Sequence, residues 1–434
     1  MRYEDAPFPA WRVGRAVRYL AKYWRKRPSA PAAVVEHFER VHRASQAPAA
    51  PAADFTLAAV GDVLWMRRGW EDFISPPVAE ALRADVVFGN LETPVSSSRR
   101  VVERRPDVLR ENAPPALVET LARHGFTALS LVNNHCLDQG EAGLRETPIE
   151  VRRRGIAAIE AGRCEVVERR GLKVAFLAFM TFLNRIRGVS PPPGAVVPMP
   201  SSYPSPFQGE GRVRVEARGA DERRPLTLPS PRGGEGSRPP GAAERERFLE
   251  AVAAARAAGA DLVVVSAHWG HEFEFFPDPR QMAFARELAR AGADVILGHH
   301  PHVLQPMEFL TRVSNVECRM SSAGRSVHST FDTRHSTFDT FVPVLYSLGN
   351  FASVMYSIPC RLGVVARLGF SLSGARPAVT SVEFVPTLVH VRRGLRTLVV
   401  PLDEAESFGV RPRRAAKARA LFDSLTPRIL VPPG

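Results

Sequence analysis

The sequence predicts an α/β protein built on a mostly parallel sheet, with its chemistry gathered at one sheet edge. Three observations carry this. Continuous apolar runs recur along the chain, as strands buried on both faces require. Each run ends in a turn that carries Asp, Glu, Asn or His. Helical patterns alternate with these runs through short connections, the signature of βαβ units.

The first run, 55–60, leads into Gly61-Asp62. A helix over 76–83 precedes the run 84–88, which enters Gly89-Asn90-Leu91-Glu92. A helix over 115–124 precedes 126–132, which enters Asn133-Asn134-His135. A third helix at 140–154 and a strand at 172–179 follow. A helix over 244–258, rich in Ala, Glu and Arg, leads through Gly259 into the run 261–266 and then Ala267-His268-Trp269-Gly270. A helix over 280–291 leads through Gly292 into 293–297 and then Gly298-His299-His300-Pro301-His302. That last turn places three imidazoles within four positions, stiffened by Pro301, with Gly298 letting the backbone bend. Residues 344–351 read as a strand and Gly turn, 362–400 as hairpin strands, and 415–425 as a short surface helix.

The chain of 434 residues has room for one large or two ordinary domains. We divide it into a basic arm and Ala/Pro linker (1–53), a body (54–405) and a C-terminal tail with a short helix (406–434). Two insertions interrupt the body. Residues 199–243 are a Pro/Gly/Arg segment in which Pro204-Ser205-Pro206 recurs as Pro229-Ser230-Pro231. It lacks the apolar periodicity needed to order itself and reads as disordered. Residues 311–341 hold a tandem repeat, His328-Ser329-Thr330-Phe331-Asp332-Thr333 and again from His335. It reads as a duplicated irregular loop outside the site.

The net charge of +13 invites nucleic acid as a partner, but residues 1–50 alone contribute ten Lys/Arg against four Asp/Glu. A basic arm and scattered arginines, without an aromatic-basic RNA-binding signature, weigh against it. In that arm Trp11, Val13, Val17, Leu20 and Trp24 recur at helical spacing among arginines and lysines. This pattern suits peripheral contact with an anionic membrane surface, with docking on the body as the alternative. No apolar h-region follows the charges, and no run approaches the ~20 apolar residues of a spanning helix. The expected location is cytoplasmic or peripheral at a membrane. Four widely spaced cysteines form no C-x-x-C, and Cys136 reads as a small buried thiol.

Asp62, Glu92, Asn134, His268, His299 and His302 are the hard-oxygen and imidazole ligands that a divalent ion handling phosphate esters needs. Two ions about 4 Å apart can clamp a phosphoryl group and hold an attacking hydroxide in line. His135 is then poised to protonate the leaving group. Asn90, Asn133, His300 and Asn350 are expected along the substrate wall.

Gly61-Asp62, Gly89-Asn90-Leu91-Glu92, Asn133-Asn134-His135-x-x-Asp138-x-Gly140, His268-Trp269-Gly270, Gly298-His299-x-Pro301-His302 and Tyr346-Ser347-Leu348-Gly349-Asn350-Phe351 together resemble the CapA family. This is the poly-gamma-glutamate capsule biosynthesis branch of the calcineurin-like metallophosphoesterases. The resemblance spans roughly 54–400, apart from the insertions. It implies a four-layer α/β/β/α metallophosphoesterase sandwich and one or two divalent ions (Mn, Fe, Zn or Mg). It also implies an anionic polymer or phosphate-containing substrate, and a place in a bacterial polymer synthesis complex. Either a metal-dependent phosphoesterase or a non-catalytic metal- or polyanion-binding component of that complex fits it. Two positions depart from the wider superfamily: Leu64 stands where the His of Asp-x-His would be, and Glu92 replaces an Asp.

Overall fold

The computed structural model describes residues 21, 23, 30–96, 103–105, 108–184, 192–197, 242–312, 340–392, 394 and 396–433. Helix α1 (Ala32–Ser45) precedes β1 (Phe55–Val63), α2 (Pro76–Ala81), β2 (Val86–Leu91) and a ribbon of β3 (Glu103–Arg105) and β4 (Val108–Arg110). Next come α3 (Ala116–Arg123), β5 (Ala128–Ser130), α4 (Gly140–Arg152), β6 (Ala157–Ile159), β7 (Glu165–Arg169) and β8 (Leu172–Met180). After the first insertion follow α5 (Ala242–Ala257), β9 (Leu262–His268), α6 (Pro279–Ala291), β10 (Val295–His299) and β11 (Leu304–Arg312). The last elements are β12 (Thr340–Leu348), β13 (Asn350–Ala352), β14 (Leu362–Ser371), β15 (Ala378–Val391), β16 (Thr397–Pro401), α7 (Pro412–Asp423) and β17 (Ile429–Leu430).

These strands make a mixed α/β protein with two main sheets. One has the order β16-β15-β14-β1-β2-β5-β6, with β13 beside β1 and β17 beside β15; the other has the order β11-β12-β10-β9-β8-β7. Strands β1, β2, β5 and β6 are parallel, as are β8, β9, β10 and β12. All of these except β6 are runs that the sequence reading marked. The flanks of both sheets are antiparallel, because β14, β15 and β16 are joined by tight turns and β7 and β11 return on their neighbours.

The core has three parts. One buries residues of both sheets against each other, including Phe88, Phe176, Leu297 and Leu345. A second sets the outer face of the larger sheet against α2 and α3, through Val87, Val78 and Leu121. The third sets the outer face of the smaller sheet against α1, α5 and α6, through Val265, Phe38, Val252 and Phe284.

Two boundaries differ from the sequence reading. The second insertion is narrower than 311–341, because the ladder pairs Thr311 with Phe341 and Arg312 with Thr340. The helix read as superficial buries Ala415, Ala418, Leu421 and Phe422 in the core, and β17 pairs with β15, so this segment is packed into the body. The repeats from Pro204 and from His328, and the helical pattern from Trp11 to Trp24 apart from positions 21 and 23, lie outside the described residues. Among the described residues no helix is long and apolar enough to cross a membrane.

Candidate metal centre

The larger sheet delivers its ligand-type residues side by side. Asp62, at the end of β1, is flanked in register by Asn90 of β2 and Asn350 of β13. In the smaller sheet His268 ends β9 and His299 ends β10, also in register. The sheets are joined at this edge by Gly349, between β12 and β13, whose carbonyl accepts the Asp62 N–H at 3.0 Å. Close approach there requires glycine. A Cβ on Gly61 would meet the Gly349 oxygen at 1.9 Å, and one on Gly298 would meet the Tyr346 oxygen at 1.9 Å. Gly298 therefore serves strand packing between β10 and β12. The bend that the sequence reading gave to it falls on His300 (φ 95) and His302 (φ 56). Left-handed backbone at such residues costs about 1 kcal/mol each, strain that functional sites retain.

Asp62 is fully buried and gathers the cluster. Its Oδ1 accepts the Asn90 amide at 2.8 Å and lies 3.3 Å from His299 Nδ1. Its Oδ2 accepts the His300 backbone N–H at 3.2 Å and lies 3.2 Å from His302 Nδ1. Burial works to raise this carboxyl, but His299 and His302 hold it well below the usual carboxylate range. Glu92 is equally buried, and among the described residues neither carboxylate oxygen has a hydrogen-bond partner. Burial, reinforced by the Asp62 charge, pushes its carboxyl well above the usual range. Glu92 Oε1 stands 3.6 Å from His268 Nε2 and 3.8 Å from His302 Nε2. Burial, with His300 nearby, pushes His268 well below an ordinary imidazole, leaving it neutral as a metal ligand requires. Asn134 Oδ1 lies 2.8 Å from His268 Nε2.

Among the described residues, three sets offer donor atoms within 4.8 Å of one another: Asp62, Glu92 and His302; Glu92, His268 and His300; Glu272, His300 and His302. A buried carboxylate that no other described residue satisfies, facing imidazoles across these distances, is what a cation site leaves when only its ligands are considered. The donor set fits a divalent ion.

The three asparagines expected along a substrate wall have their amides engaged inside the protein. Asn90 donates to Asp62, Asn133 Nδ2 donates to the Leu91 carbonyl at 2.9 Å, and Asn350 Nδ2 donates to the Cys360 carbonyl at 2.9 Å. Asn350 Oδ1 also lies 3.1 Å from His302 Nδ1. His135 joins none of the three sets. Its Nδ1 is 2.8 Å from Asp138 Oδ2, with both residues buried, so Nε2 is the nitrogen left for substrate. Burial favours the neutral ring and also lifts the Asp138 carboxyl. Yet Asp138 Oδ2 also accepts the Glu111 backbone N–H at 2.7 Å, which argues for its ionised form. Against burial, Asp138 raises the imidazole to about 9. Burial pushes the Cys136 thiol up to about 12, which removes it as a nucleophile.

The sequence matches the family model described as "Bacterial capsule synthesis protein PGA_cap" over residues 56–355. The chain belongs to this family. It is 28% identical over 227 residues to a "PGA biosynthesis protein CapA" of Bacillus subtilis, covering 52% of this chain and 49% of that one. It is 26% identical over 310 residues to a "Capsule biosynthesis protein CapA" of Bacillus anthracis, covering 68% and 62%. A "Probable polyglutamine synthesis accessory protein" of Mycobacterium tuberculosis is 28% identical over 231 residues, 53% of each chain. The chain thus spans about half to three fifths of the length of these relatives.

In this PGA_cap chain one group of the candidate site escaped the sequence reading, and another was named there with a different part. His300 was expected on the pocket wall, yet its ring sits with Glu92 and His268 in one set and with Glu272 and His302 in another. The positive φ turns this ring inward, and nothing in residue order signals that. Glu272 was not singled out at all. The available signal was a carboxylate four residues after His268, on the turn His268-Trp269-Gly270-His271-Glu272.

Proposed function

We propose that the chain is a divalent-metal-dependent phosphoesterase acting on an anionic, phosphate-containing link during capsule or envelope polymer synthesis. Its scaffold in this reading is a four-layer α/β/β/α sandwich of the metallophosphoesterase type. The three-part core, one part between the sheets and one outside each, supports that layering. The observation that carries the function is the unsatisfied, buried Glu92 carboxylate facing Asp62 and the imidazoles of His268 and His302.

Asp62, Glu92 and His302 would hold one ion, and the sets that share His300 would hold a second; Mn, Fe, Zn and Mg all accept such donors. A divalent ion there supplies positive charge that polarises a phosphoryl oxygen and acidifies an attacking water. The chain's own residues arrange the rest. Asn90 and the His300 amide orient Asp62, while Asn134 steadies His268. His135, kept as imidazolium by Asp138, releases the proton on Nε2 to the departing oxygen.

A second reading follows from Leu64, which is buried at the position where the wider superfamily has an imidazole. It makes the chain a non-catalytic, metal- or polyanion-binding member of a polymer synthesis or export complex. Metal analysis of the purified protein by emission spectroscopy, followed by a Mn²⁺-dependent phosphodiester assay, separates the two. Retained metal with turnover that Asp62→Ala abolishes supports the enzyme. No metal, or metal without turnover, overturns it.

A further inference from the structure

Residues 181–184 run on from β8 along the ligand edge of the smaller sheet and are pinned there twice. The Thr181 N–H donates to the His268 carbonyl at 3.0 Å, and the Asn184 N–H donates to the Asn134 carbonyl at 3.2 Å. Both acceptors belong to residues of the candidate centre, so the segment is held in fixed register with it. Between the two hydrogen bonds Leu183 packs on the core between the sheets, while the half-buried ring of Phe182 lies on imidazoles.

That ring meets His300 edge-on, with centroids 4.3 Å apart at 63°, the short limit of such contacts. It also stands 6.1 Å from His268. His268 and His302 lie 5.0 and 5.7 Å from His300, so this buried imidazole has Phe182, His268 and His302 as neighbouring rings. Of the three, Phe182 alone offers no ligand atom, so donation to an ion does not explain its place. The left-handed backbone of His300 (φ 95) works against holding its ring inward. Strain of this kind persists only where the surroundings over-determine it.

We propose that Phe182 is a positioning residue, which holds the His300 ring where it completes the donor sets with Glu92 and His268 and with Glu272 and His302. The role deepens the function proposed above and rests on it, since His300 must there be a ligand. An imidazole fixed before the ion arrives loses less freedom on binding, which raises affinity without a new contact. An edge-to-face contact shifts an equilibrium by about two- to tenfold, comparable with the backbone strain it opposes. Its loss therefore releases the ring in a measurable fraction of molecules.

The test is titration of the intact, metal-free protein with Co²⁺, read by calorimetry and by visible absorption, beside Phe182→Ala, Phe182→Leu and Phe182→Tyr. Phe182→Ala should weaken the ion that His300 helps to hold by about two- to tenfold and alter its absorption band. The ion at Asp62, Glu92 and His302 should keep its affinity. Phe182→Tyr retains the ring and should bind as the parent does. Phe182→Leu retains bulk without an aromatic edge, should fall between, and decides the matter if Phe182→Ala does not fold. Unchanged Co²⁺ binding in the folded variants, or equal loss at both ions, overturns the role. Histidine ring resonances of the metal-free protein separate this failure from that of the metal reading. If no Co²⁺ binds, the metal reading falls. A His300 signal with a ring-current shift in the parent and in Phe182→Tyr, lost in Phe182→Leu, then leaves Phe182 as the group that holds the ring. A signal unchanged in Phe182→Leu sinks both.

Discussion

His135 and Asp138 form a buried ion pair, Nδ1 to Oδ2 at 2.8 Å, three residues apart on the turn that precedes α4, beside the candidate metal centre. Its raised imidazole gives a pH dependence with a definite sign. The pair's contribution to stability is complete below the ordinary imidazole value of 6.5 and drains away as pH rises to about 9. Asp138→Asn should return the ring to or below 6.5, so the alkaline limb of phosphodiester turnover should move down by about 2.5 pH units or more. Histidine resonances followed by NMR titration check the shift directly. A ring that still titrates near 9 in the variant would show that Asp138 is not its cause.

Glu92 predicts a trade between stability and metal binding. In metal-free protein its carboxyl is raised by burial and by Asp62, so stability falls as pH climbs above the ordinary value of 4.5. Glu92→Gln should remove that slope and stabilise the metal-free chain at neutral pH by about 1–3 kcal/mol, while metal uptake falls. Denaturant unfolding in chelator, paired with metal analysis, reads both. A variant that is less stable without metal would mean that Glu92 has a structural partner.

Gly298 is a packing position. The Tyr346 carbonyl lies 1.9 Å from where a Cβ would sit, and backbone cannot retreat as a side chain can. Gly298→Ala should therefore part β10 from β12 and cost about 3 kcal/mol or more. It should also disturb His299, the next residue in the strand. An unfolding midpoint within a degree of the parent would refute the close approach.

Much of this architecture was legible in the chain because parallel strands buried on both faces leave continuous apolar runs. The residue that follows each run must then fall at the sheet edge. Asp62, Asn90, His268 and His299 were found in this way. What escaped depends on the third dimension. The ring of His300 is turned inward by a left-handed backbone, and Glu272 enters from a turn with no periodic pattern. The role of Gly298 depends on a carbonyl 48 residues away, and the internal partners of Asn133 and Asn350 exist only once the strands have met.

The last prediction concerns the N-terminal region, where a basic amphipathic pattern suggests contact with an anionic membrane. Helix α1 belongs to the body: Phe38 is buried against Tyr346, with rings 5.9 Å apart. His37 Nε2 lies 2.8 Å from the buried Glu308. Truncation through residue 50 would strip this contact and confuse unfolding with membrane release. Removing residues 2–20 leaves α1 in place, keeps the Tyr23 ring on Phe273 and its hydroxyl on the Tyr356 N–H, and takes away four arginines. Each basic residue near an anionic surface is worth about 1 kcal/mol, so sedimentation with phosphatidylserine vesicles should fall steeply while the unfolding midpoint holds. Phe38→Ala should behave in the opposite way, costing about 3–5 kcal/mol of stability with vesicle binding unchanged in the folded fraction. Equal sedimentation of full-length and shortened chains would exclude the arm as a membrane contact.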